Sequence, residues 1–101
     1  MDQKEIAIKI KETIEKDPSR DYIQSISLFG SFLHGVHRPD SDIDLLLEMR
    51  KTMSLFRLSS VQERLEKSLG KKVDLVEKDS LIEQLKTKII AESKKIYERG
   101  S

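Results

Sequence analysis

The stretch Ile43-Asp44-Leu45-Leu46-Leu47 constrains the fold more than any other part of the chain. Three consecutive leucines exceed what a one-faced strand can hide, so the segment reads as a strand covered on both sides, the place of a central strand in an α/β sheet. Asp44 sits inside that run, where a carboxylate is unfavourable unless something offsets its burial. Alternation along the strand puts Asp42, Asp44 and Leu46 on one face and Ile43, Leu45 and Leu47 on the other.

The flanking segments supply partners for such a strand. Ile6, Ile10 and Ile14 recur every four residues and predict an amphipathic helix that stops before Pro18. Tyr22 to Phe29 predicts a short strand with Ile26 and Leu28 on one face, ended by Gly30. The following Ser31–Ser41 segment reads as one turn of helix and then a loop. Leu58, Val61, Leu65 and Leu69 keep helical spacing up to Gly70, a natural C-cap. Lys71 to Lys78 predicts a third strand with Asp74 and Val76 on one face. Ser80 and Glu83 form a capping-box pattern ahead of a last helix whose stripe is Ile82, Leu85, Ile89 and Ile96. Met49, Met53 and Phe56 are expected in the core. The element order predicts a single α/β domain over residues 1–101, with helices packed on a small mixed sheet of three strands.

Composition narrows the function. The chain has 101 residues with 19 Lys+Arg and 18 Asp+Glu, so its formal charge of +1 provides no field to hold nucleic acid, and direct nucleic-acid contact is not expected. It has no cysteine and no apolar run of the roughly 18 residues a membrane span needs. A soluble, cytoplasmic protein without a membrane partner is expected. There is no room for a second substrate-binding lobe, so a large acceptor must be met on an exposed face.

Carboxylates at i and i+2 of a strand project to one side, about 6–7 Å apart, and can converge on a hard cation such as Mg2+. Gly30 would let a phosphate approach the backbone, and Ser31 adds a hydroxyl where the next helix begins. Asp74, on the neighbouring strand among aliphatic residues, is expected to be buried and to complete a site for two metal ions. Two alternative motifs fail. A calcium loop starting at Asp40 would need Gly at 45 and Glu at 51, where this chain has Leu45 and Lys51. Gly30 and Gly35 begin a Walker A spacing that Val36 and His37 do not continue. His34 and His37 read as solvated or capping loop residues.

Gly30 and Ser31, ten intervening residues, then Asp42, Ile43 and Asp44, set in "LFGS" and "RPDSDIDLLLE" with a later "KVDLVEKDSL", resemble the signature of the minimal nucleotidyltransferases of the DNA polymerase β superfamily. The resemblance covers nearly the whole chain. It implies a polymerase β-like nucleotidyltransferase fold, Mg2+ bound by catalytic Asp42 and Asp44 with Asp74 as third acid, and nucleotide contacts from Gly30 and Ser31. Small stand-alone members resemble antitoxins paired with HEPN-domain ribonuclease toxins. That implies transfer of AMP from ATP to a toxin tyrosine. Many members carry a basic residue in the turn after Gly-Ser, where this chain has His34. A protein that neutralises its partner by binding alone, with a vestigial nucleotide site, is the alternative. Transfer to a small molecule or an RNA end would need the acceptor lobe or basic surface that the sequence lacks.

Overall fold

The computed structural model describes residues 1–35 and 38–100; His37 lies outside the described residues. Helix α1 (Gln3–Glu15) starts at Asp2, whose side chain accepts from the Glu5 N–H at 2.8 Å. Its four-residue repeat sends Ile6, Ile10 and Ile14 wholly into the core. Strand β1 (Ile23–Phe29) leads through Gly30 into the short helix α2 (Ser31–His34), and strand β2 (Ile43–Met49) follows. Helix α3 (Leu55–Leu69) begins at Ser54, which accepts from the Arg57 N–H, and ends at Gly70 with φ +67°. Strand β3 (Val73–Glu77), helix α4 (Glu83–Ala91) and strand β4 (Lys94–Glu98) complete the order.

The sheet runs β3-β2-β1-β4, with β2 parallel to β3 and the other neighbours antiparallel. As the aliphatic run predicts, β2 is interior. The parallel pair is joined by the crossover helix α3, which packs beside α1 on one face of the sheet. That face holds Ile26, Leu28, Ile43, Leu45, Leu47 and Val73 against Ile10, Ile14, Val61 and Leu65 in a single cluster. Thr13 Oγ1 donates to Ser68 Oγ at 2.7 Å between the two helices. At the end of α1, Asp17 is buried and takes two bonds from Arg64, from Nε at 2.6 Å and Nη2 at 2.9 Å, besides the Ser19 N–H. The pairing with Asp17 raises the Arg64 pKa above its ordinary value, chiefly through the hydrogen bond. No helix among the described residues is long and apolar enough to cross a membrane.

Four expectations are corrected. The sheet has four strands, because Lys94–Glu98 pairs with β1 instead of extending the last helix. Ile96 matches the helical stripe by spacing alone; with Tyr97 it is β-branched and aromatic, and the open edge of β1 is the stronger partner. The Ser80–Glu83 capping box does not form: α4 is preceded by Ile82 with no side-chain cap, and Ser80 Oγ donates to the Glu77 carbonyl in a 3-10 turn over 78–80. Phe56 is 86% exposed, while Met53 is buried and Met49 packs on the core edge. Asp74 is exposed, since β3 is an edge strand and its second face is open.

Candidate active site

With α1 and α3 on one face, the alternation of β2 turns Asp44, Leu46 and Glu48 to the other. The register sets Phe29 of β1, Asp44 of β2 and Asp74 of β3 side by side across the sheet. Gly30, directly after Phe29, has φ +75° and ψ −152°, a backbone conformation for which glycine is suited. It lies so close to Asp44 that a Cβ on Gly30 would collide with Asp44 Oδ2. The first motif thus touches the second through space.

The turn entering β2 is held from three sides. Ser41 Oγ accepts from the Arg38 N–H at 2.7 Å, and the Ser41 N–H bonds back to the Arg38 carbonyl at 3.0 Å. Lys71 Nζ reaches the Pro39 carbonyl at 2.7 Å and lies 5.6 Å from the centre of the Phe32 ring. The Ile43 N–H bonds to the Lys72 carbonyl. These contacts place Asp42, exposed, just ahead of the strand.

Helix α2 is anchored by buried Phe32 and by Gln3 of α1, whose Nε2 donates to the Leu33 carbonyl at 2.8 Å. The Leu33 and His34 N–H groups both bond back to the Gly30 carbonyl. Ser31 is half-buried at the start of this turn, and His34 is exposed at its end, as expected for a solvated loop residue. Gln3 has no signal in the sequence, because its partner lies in a distant segment. Glu48 could have been found by continuing the two-residue alternation past Asp44 and Leu46.

Burial raises the Asp44 pKa above its ordinary carboxylate value, and the nearby charges of Asp74 and then Asp42 raise it further. The three predicted acids are therefore electrostatic neighbours. Among the described residues no three His, Cys, Asp or Glu side chains form a ready-made metal cage. The donor set nevertheless fits Mg2+, which keeps several waters and takes one or two carboxylates plus substrate phosphates. A divalent cation would relieve the repulsion that loads Asp44.

The family description "Polymerase beta, Nucleotidyltransferase" matches residues 8–101, and the chain belongs to that family. The protein adenylyltransferase MntA of Thermococcus cleftensis is 41% identical over 59 residues, which make up 58% of this chain and 60% of that protein. The chain thus matches less than two thirds of that relative's length. A solved minimal nucleotidyltransferase superposes with a TM-score of 0.78 at 27% identity, covering 92% of this chain and 94% of its own. A toxin-antitoxin crystal structure with AMP-PNP gives a TM-score of 0.76 at 25% identity, covering 93% of this chain and 74% of its own.

Proposed function

We propose that the chain is a protein adenylyltransferase that moves AMP from ATP to a hydroxyl of a HEPN-domain toxin and so acts as that toxin's antitoxin. The observation that carries this reading is the row Gly30, Asp44, Asp74, in which a phosphate-approach glycine abuts one acid and a second acid stands in register beside it. The activity named for the Thermococcus relative and the toxin-antitoxin neighbour with its ATP analogue support it.

Gly30 and Ser31 seat the triphosphate: the glycine admits phosphate oxygens to the backbone and the Ser31 hydroxyl donates to them. Asp42 and Asp44 would hold Mg2+, which when bound neutralises developing charge on the phosphates and polarises the α-phosphorus. Asp74 accepts the proton of the acceptor hydroxyl and aims its oxygen. The new O–P bond forms at the α-phosphorus, the α–β bridging P–O bond breaks, and pyrophosphate leaves with the bonding electrons. The exposure of Asp74 suits this role, because an acceptor carried on another protein must reach it from solvent.

The test is label transfer from α-labelled ATP with Mg2+ to a co-expressed cognate toxin, with γ-labelled ATP as control. Label on the toxin from the α-position only, lost in Asp42→Ala/Asp44→Ala, is the expected result. Toxin neutralisation by that double variant without any label would overturn it in favour of inhibition by binding alone.

A further inference from the structure

Beyond the acids, the open face of the sheet carries a cleft that the transfer chemistry leaves unused. It has a volume of about 210 Å³ and is bounded by Ser25, Ser27, Leu46, Glu48, Lys78 and Lys95, with Ile90 and Ser93 at its rim. Resting on the reading above, we propose that this cleft seats the base of the nucleotide and that Glu48 reads the 6-amino group of adenine.

The direction of the reaction points there. An in-line displacement needs the acceptor oxygen, the phosphorus and the leaving oxygen on one axis. With the pyrophosphate at Gly30 and the acceptor at Asp74, that axis crosses the strands through Asp44, because Phe29, Asp44 and Asp74 are register partners. The bond to the ribose then lies in the plane at right angles to that axis, a plane that contains the direction of β2. Following β2 on the same face leads to Leu46 about 7 Å on and Glu48 about 13 Å on. The larger groove, of about 640 Å³, is lined by Lys11 of α1, by Lys16 just past its end and by Tyr97 of β4, whose partner Ile26 is on the helix-covered face. It cannot take a base tethered at Asp44.

The lining matches a flat, polar-edged ring. Leu46, buried, forms the apolar floor of the cleft, and exposed Ile90 at its rim offers apolar surface to a ring face. Glu48 is fixed at both oxygens: Oε1 accepts from Ser25 Oγ at 3.0 Å and Oε2 from Lys78 Nζ at 3.4 Å. A carboxylate can accept about four hydrogen bonds, so each oxygen keeps capacity for an amino N–H. Lys78 and Lys95 supply donors for a ring nitrogen beside it. Ser25, which pairs with Glu48 in the strand register, is the positioning residue for this reader.

The experiment compares ATP with inosine triphosphate, which carries a 6-oxo group in place of the 6-amino group. It measures transfer kinetics and, separately, equilibrium binding of each nucleotide with Mg2+. Wild type is expected to favour ATP by about tenfold in kcat/KM, expressed in KM and in binding, as a charge-assisted hydrogen bond allows. Glu48→Ala should bring that ratio within about threefold of one, and Ser25→Ala should fall between. Circular dichroism confirms folding of both variants. Equal use of the two nucleotides by wild type, or full discrimination by folded Glu48→Ala, overturns the base assignment and leaves the transfer reading standing. Failure of wild type to bind either nucleotide overturns both.

Discussion

The carboxylate of Asp44 occupies the space that a side chain on Gly30 would need. The loop after β1 and the acid of β2 are therefore one device: a side chain at position 30 would displace the carboxylate.

Gly30→Ala tests that dependence. The substitution meets both a left-handed φ of +75° and the Asp44 carboxylate. A stability loss of about 1–2 kcal/mol in urea unfolding is expected from the backbone strain alone. Label transfer should fall by about a hundredfold or more, because the Asp44 oxygen must leave its position.

Asp44→Asn should separate stability from activity. Folding raises the Asp44 pKa, so the native state binds its proton more tightly than the unfolded chain. Stability from this group is therefore lost as pH rises from its unfolded value, about 3.9, through the folded one. The uncharged Asn escapes this loss. Thermal melts without metal should show the variant more stable than wild type at pH 7, with the gap closing near about pH 3. Label transfer should be abolished at every pH.

Asp74→Asn should leave the metal-free melting temperature unchanged or slightly raised, since the side chain is exposed on an edge strand and its charge adds to the repulsion on Asp44. Steady-state kinetics should show kcat reduced by about a hundredfold or more with the KM for ATP within about threefold, the pattern of a lost general base.

Asp17→Ala removes a carboxylate far in sequence from the acids but paired twice with Arg64. Urea unfolding should show a loss of about 2–3 kcal/mol, in keeping with buried hydrogen bonds to a charged group. Transfer per folded molecule should be unaltered.

The interior position of β2 was legible because three consecutive leucines are more than one face of a strand can hide, and Gly30 and Gly70 marked ends that the backbone confirms. The failures share a cause, which is competition between local pattern and distant partners. Ile96 fits a helical stripe, yet the vacant edge of β1 draws Lys94–Glu98 into a strand. Ser80 and Glu83 have capping spacing, but the Glu77 carbonyl captures the serine hydroxyl first. Phe56 precedes the buried stripe of α3 and points away from it. The collision of Gly30 with Asp44 depends on strand register, and the hold of Gln3 on α2 depends on how α1 docks; neither is written in residue spacing.

Strand β4 has a consequence for how the molecule is made. Pairing Ile26 with Tyr97 closes a loop containing all of β2, α3, β3 and α4 between its ends, and such non-local pairings govern folding speed more than stability. On a ribosome, β1 emerges early and waits with one edge open until residues 94–98 follow. Asp42, Asp44 and Asp74 all emerge before then, whereas Ser93 and Lys95 arrive with the last strand and finish the cleft beside Glu48. The nascent chain thus acquires its acids first and its discrimination between bases last.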